Sequence, residues 1–229
     1  LAGLYVDGET FIIEDSTTRD HTERMLRCFG YPVHSSNGQI SLMGGGELNA
    51  CDIEVPSDIS SAAFFIVAAS IAKEANIKLN AVNINPTRTG ILDILNLMGA
   101  NITLTDERIV AGELVADICV CSAELHGINI PQELVPLAID EFPVIFIAAS
   151  CATGETVLTG AKELRVKESD RIQVMADGLT VLGIENEVLK DGIRIQGGEF
   201  SKQNSVIRSH QDHRISMSFA IASSRSEYD

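Results

Sequence analysis

An α/β fold built by repetition, an α+β arrangement in which one unit recurs, is predicted by three observations. Amphipathic helical stretches close on a glycine, short apolar strands follow each glycine, and tight polar turns separate those strands. The pattern occurs three times. The first copy has a helix over 22–30, a strand over 31–33, a turn at Asn37-Gly38 and a strand over 39–45. The second has a helix over 90–99, a strand over 101–104, a turn at Asp106-Glu107 and a strand over 108–112. The third has a helix over 174–183, a strand over 185–188, a turn at Asp191-Gly192 and a strand over 193–197. Gly30, Gly99 and Gly183 each stand where a helix must end in a left-handed residue, and Asn-Gly and Asp-Gly are hairpin signals. Ala-rich helices over 61–73 and 143–152, followed by strands over 77–82 and 156–158, extend the pattern to a βαβαββ-like unit. The copies are spaced too widely for a solenoid, whose period is about 20–50 residues. A domain boundary is expected at Val55-Pro56-Ser57, so that 1–55 completes one domain and 56–229 forms a second.

The 229 residues, 45% of them hydrophobic, are enough for one large core or two smaller ones. Aromatics are scarce at 5%, with no Trp, and the net charge is −15. Base stacking and attraction to polyanions or acidic membranes are both disfavoured, so nucleic acid and membrane are not expected partners. Any anionic ligand must be caught by local positive charge. Cys28, Cys51, Cys119, Cys121 and Cys151 form no CxxC pair, which argues for reduced thiols in a cytoplasmic setting rather than a disulfide framework or a zinc site. The apolar run over 62–72 is about half of what a bilayer-crossing helix needs. Residues 1–5 read as the tail of a helix begun earlier, and Asp229 stands directly after a helical pattern, so the chain is expected to be a piece of a longer protein.

Polar residues gather before the apolar runs: 19–22, Ser57-Asp58, Asp140-Glu141, 167–171 and 212–214. Asp58 reads as an N-cap, and Asp140, with Pro143 just inside the next helix, reads equally as a cap or as something more. Cations at a helix start oppose the macrodipole, so Arg19, Lys167, Arg171 and Arg214 need another reason to be there. Anion binding supplies one, because exposed helix N–H groups and guanidinium forks suit phosphate and carboxylate. On a helix starting near Glu168, Glu168 and Arg171 share a face and place an acid beside an anion clamp. His210 and His213 lack a third ligand nearby, and Gly44-Gly45-Gly46 has neither dinucleotide-binding nor Walker spacing, so neither metal nor nucleotide is expected.

The segments 19–26, 56–64, 139–143, 165–171 and 212–215 resemble, in order and spacing, 5-enolpyruvylshikimate-3-phosphate synthases. Arg-Val-Lys-Glu-Ser-Asp-Arg at 165–171 together with Asp-His-Arg-Ile at 212–215 is the specific part. The resemblance covers essentially the whole chain and implies two inverse α/β, barrel-like domains of βαβαββ units closing around the substrates. It implies transfer of the carboxyvinyl group of phosphoenolpyruvate to the 5-hydroxyl of shikimate 3-phosphate, with phosphate released, no cofactor and no metal, by a monomer.

Carried over residue by residue, it implies that Asp140 holds the shikimate hydroxyls and stands as base at the attacking oxygen. Glu168 becomes the partner in proton transfer at the phosphoenolpyruvate carbon. Lys167 and Arg19 fall beside shikimate 3-phosphate, and Arg171 and Arg214 clamp phosphoenolpyruvate. Thr18 stands where many relatives carry Ser, and the family's N-terminal Lys-Ser and Arg positions and its glycine-rich loop have no counterpart in this sequence. The alternatives are a UDP-N-acetylglucosamine enolpyruvyl transferase, against which no cysteine here lies beside a basic cluster, and a folded piece inactive by itself.

Overall fold

In the computed structural model, residues 1–14, 18–201 and 206–225 are described, so the expected abrupt end at Asp229 lies outside the described residues. Instead of an α-helical tail, the start of the chain forms a short 3-10 helix, Ala2–Tyr5. The first unit then runs β1 (Glu9–Ile13), α1 (His21–Cys28), β2 (His34–Ser36) and β3 (Gln39–Met43). The second runs α2 (Ile59–Ile71), β4 (Asn76–Asn83), α3 (Gly90–Leu97), β5 (Asn101–Val110) and β6 (Glu113–Cys121). The third runs α4 (Phe142–Ser150), β7 (Glu155–Leu158), α5 (Arg171–Val181), β8 (Asn186–Val188) and β9 (Ile193–Gln196), and α6 (His213–Ser223) follows.

The three sheets share one topology: β1-β3-β2, β4-β6-β5 and β7-β9-β8, with the last strand of each unit antiparallel to both neighbours. An opening parallel strand survives as isolated bridges, Ser57 to Val82 in the second unit and His126 to Thr153 and Asn129 to Val157 in the third, which completes the expected βαβαββ order. Pro56 and Pro131, which lack a backbone donor, flank this pairing.

The helix-ending glycines behave as expected. Gly30, Gly99 and Gly183 adopt φ of +76°, +92° and +79°, which other residues reach only with strain. Asn37 and Gly38 both have positive φ and turn the first hairpin. The second copy needs correction. Asp106 and Glu107 do not form its turn; β5 continues through them, with a register shift between Thr105 and Arg108, and the chain reverses at Ala111-Gly112. A bulge in β4 between Leu79 and Val82 has an anchor on the central strand, since Asp117 of β6 accepts a hydrogen bond from the Ala81 amide at 2.8 Å. Of the glycines 44–46, Gly44 closes backbone against backbone, since a Cβ there would lie 2.0 Å from the Val6 carbonyl oxygen, and Gly46 lies against the Tyr31 ring.

Helices α2, α4 and α6 pack on one another in the centre of the larger part, and every residue of α4 is buried. Apolar packing forms two clusters. One joins 44 buried residues between Ile59 and Ala222, and the other gathers Leu26, Tyr31, Val33, Ile40 and Leu42 of the first unit. Asp58 caps α2 as expected, accepting from the amides of Ser60 and Ser61 at 3.2 and 2.9 Å. Replacing it with Ala is expected to lower stability by about 1 kcal/mol, read as a drop in the thermal midpoint.

Candidate active site

The polar chemistry lies where the N-termini of α2, α4, α5 and α6 meet. Ser60 in the first turn of α2 donates to Glu141, the N-cap residue of α4, at 2.5 Å. Arg214, in the first turn of α6, donates to the Asp140 carbonyl at 3.0 Å and pairs with Glu141 at 3.5 Å. Arg171, the first residue of α5, donates through Nε to Asp212, the N-cap of α6, at 2.9 Å. Four helix starts are thereby tied together by side chains, and their positive dipole ends point to one region.

Asp140 sits at the middle of that region. It is not the cap of α4; that position is Glu141, and the Asp140 carboxylate faces cations instead. Arg19 reaches across from the segment before α1 and donates to Oδ2, while Lys167 Nζ lies 3.4 Å and Arg171 Nη1 3.6 Å from Oδ1. Burial alone would push this carboxyl up, but the hydrogen bond from Arg19 and the charges of Lys167, Arg214 and Arg19 outweigh it and hold it at about 2. The stabilisation is therefore fully present above the ordinary value of 3.8 and is lost as pH falls through about 2. Asp140→Asn is expected to flatten the dependence of stability on pH across that window, measured by denaturant melts at pH values on either side of it.

Arg171 is 1% exposed, a fully buried guanidinium. Asp212, 0% exposed, balances its charge, and Ser169 donates to the same carboxylate at 3.0 Å. Burial works against the Asp212 anion, but the Arg171 hydrogen bond and charge hold its carboxyl below the usual value. The second face of the fork carries Glu168, whose carboxylate accepts from Arg171 Nη2. Arg171 Nη1 points towards Asp140 with no hydrogen-bond acceptor of its own. Such a buried donor is costly unless something else occupies its direction.

All six residues singled out from the sequence are thus brought together. Arg19, Lys167 and Arg171 surround the Asp140 carboxylate, Arg214 holds its carbonyl, and Glu168 stands beyond Arg171. One local expectation needs correction: α5 does not start near Glu168 but at Arg171, capped by Asp170, and Glu168 belongs to the segment between the 3-10 helix Lys162–Val166 and α5. The i, i+3 pair forms all the same, as an ion pair across the helix start. Sequence reasoning missed Glu141. This carboxylate is 2% exposed, and burial raises its pKa against the opposing hydrogen bond of Ser60 and charges of Arg88 and Arg214. Its one sequence signal is adjacency to Asp140 before an apolar run. Among the described residues, no group of three His, Cys, Asp or Glu is arranged to hold a metal ion.

The family model for EPSP synthase (3-phosphoshikimate 1-carboxyvinyltransferase) matches residues 1–228. The chain belongs to this family. A curated 3-phosphoshikimate 1-carboxyvinyltransferase from Vesicomyosocius okutanii subsp. Calyptogena okutanii is 69% identical over 228 residues, covering 100% of this chain and 52% of that protein. One from Hydrogenovibrio crunogenus is 59% identical and covers 97% and 51%. The solved EPSP synthase from Acinetobacter baumannii superimposes with a TM-score of 0.89 at 58% identity, over 96% of this chain and 51% of that one. The enolpyruvyl transferase NikO from Streptomyces tendae shares the fold, with a TM-score of 0.70 at 15% identity, over 96% and 50%. The α/β repeat fold read from the sequence and the enolpyruvyl transferase fold implied by the resemblance are the fold of this chain. The chain spans about half the length of the relatives it matches. Among the described residues no helix is long and apolar enough to cross a membrane.

Proposed function

We propose that this chain contributes the C-terminal part of a 3-phosphoshikimate 1-carboxyvinyltransferase active site, active when joined to the remainder of a full-length protein. The observation that carries the reading is the ring of cations on Asp140 at converging helix starts. Two phosphates and one carboxylate need several cations in one cleft, and guanidinium forks beside helix N-termini supply them. In this reading Arg171 and Arg214 clamp phosphoenolpyruvate, and Lys167 and Arg19 bind shikimate 3-phosphate. Asp140 orients the shikimate hydroxyls and takes the proton of the attacking 5-hydroxyl. Glu168 exchanges a proton with the methylene carbon, and collapse of the adduct expels phosphate.

A carboxyl held at about 2 is a weak base, and the cations that hold it there are the same ones the substrates need. When the substrate anions draw Arg19 and Lys167 towards themselves, Asp140 loses two of the cations that hold its carboxyl down and its basicity rises. The site is thus charge-balanced when empty and becomes a base on loading. The reading includes a boundary near Pro56, supported by the two apolar clusters on either side. It also includes a monomeric cytoplasmic enzyme without cofactor, metal, nucleic acid or membrane partner. The net charge of −15 and the five free cysteines favour it.

The second reading, a folded piece inactive alone, is favoured by the share of the relatives this chain covers. Mixing the chain with a separately produced N-terminal portion and following phosphate release tests both. Turnover is expected only in the mixture. Steady turnover by this chain alone, or none in a mixture that forms a stable complex, would overturn the reading.

A further inference from the structure

Arg19 stands one residue before the N-cap of α1, on a unit whose apolar cluster contains no residue beyond Leu42. Apolar packing therefore does not set where Arg19 lies relative to Asp140. Polar contacts do, and they centre on Asn85, which follows β4 and is 0% exposed. Its side-chain oxygen accepts from the Thr87 amide and hydroxyl at 2.9 and 2.8 Å, which fixes the orientation of the amide. Both of its N–H donors are then spent outward, on Asp20 Oδ1 at 2.6 Å and Glu113 Oε2 at 3.0 Å. Glu113, at the start of β6, pairs through Oε1 with His21 Nδ1 at 2.6 Å. Arg24 completes the contact by donating to Asp20 Oδ2 at 2.8 Å and to the Gly112 carbonyl at 3.3 Å.

Asp20 occupies the N-cap position of α1, yet its carboxylate makes no capping bond to that helix. The side chain that ought to hold the first turn is turned instead towards Asn85 and Arg24. Local helix stability has been given up for a fixed contact with the second unit, at the residue next to Arg19. A buried amide whose acceptor is locked by its own loop and whose donors grip two carboxylates is a rigid reference point.

We infer that Asn85, supported by Glu113, is a positioning residue that sets the start of α1 so that the Arg19 guanidinium meets the phosphate of shikimate 3-phosphate. The inference rests on the functional reading above. Neither Asn85 nor Glu113 touches substrate; they act through Asp20 and His21. The consequence is specific to one substrate. Disturbing this contact weakens the site for the phosphorylated acceptor while leaving the phosphoenolpyruvate clamp on α5 and α6 in place.

A double-mutant cycle in the full-length enzyme tests this. Arg19→Ala is expected to raise KM for shikimate 3-phosphate about tenfold or more, through loss of a charge-assisted contact. Asn85→Ala is expected to raise the same KM about fivefold, with kcat and the KM for phosphoenolpyruvate within about twofold. The double variant should be no worse than Arg19→Ala alone, because a misplaced arginine that is absent cannot be misplaced. Glu113→Gln, which keeps shape and leaves the Asn85 loop intact, should repeat the pattern more weakly and covers the case in which Asn85→Ala does not fold. Multiplying effects in the double variant, or equal changes in kcat and both KM values, would overturn the inference and leave the functional reading standing. An unchanged KM in Arg19→Ala would remove Arg19 from the phosphate and overturn the functional reading of that residue, and this inference with it.

Discussion

Arg171→Ala in the full-length protein is expected to lower kcat/KM by about 30-fold or more, equivalent to about 2 kcal/mol or more of lost transition-state stabilisation. The same substitution should destabilise the fold, because Asp212 is left 0% exposed without its cation. Breaking a buried pair by removing one partner costs about 3–5 kcal/mol. The two effects are separated by measuring phosphate-release kinetics well below the thermal midpoint and the midpoint itself by calorimetry. Arg171→Lys should recover part of the stability, since a charge again faces Asp212. It should recover little activity, since the three donors of an ammonium sit on one nitrogen and cannot span the separate positions at Asp212, Glu168 and a substrate anion that the planar fork reaches. Full activity in the lysine variant would mean that a point charge suffices and that the fork has no role.

Glu168→Gln is expected to give the opposite combination. Its side chain is about half exposed and contributes an ion pair at the surface of the cluster, so the thermal midpoint should hardly move. Turnover should fall about 10²- to 10⁴-fold, the usual range for loss of a positioned proton-transfer group, with little change in KM. A variant with near-normal turnover would exclude Glu168 from proton transfer and leave it as an orienting partner of Arg171. The pairing of outcomes is informative in itself. Arg171 is coupled to the core through Asp212, whereas Glu168 hangs on Arg171 from outside, so one loss damages fold and chemistry and the other chemistry alone.

Much of this was legible because it depends on short stretches of chain. The helix-ending glycines declare themselves by type and position, since only a residue free to take positive φ closes a helix there. The surplus of cations at helix starts was equally local, an electrostatic oddity visible without knowing what faces what. What stayed hidden depends on distant partners. Asp106 reads as a turn residue from its neighbours, but pairing with β6 carries the strand past it and turns its positive φ into a bulge. Asp140 and Glu141 read alike in sequence. Only the packing of α4 decides that one faces the cations of three other segments while the other is shut in beside Ser60. Asp212 reads as a cap and is one, but its second task, balancing Arg171 from 41 residues away, has no local signature.

In each of the three sheets the central strand is the last to be made: β3 lies between β1 and β2, β6 between β4 and β5, and β9 between β7 and β8. During synthesis on the ribosome, the two outer strands of a unit emerge with nothing between them, and each exposes a full row of unpaired amides and carbonyls. The hairpin's second arm, slotting between them, pairs with both, so the pairing of each sheet is completed within the unit's own stretch of chain. Nascent chains halted just short of β6 should therefore be far more prone to aggregate than chains halted just past it, because two sticky edges are then replaced by one finished sheet.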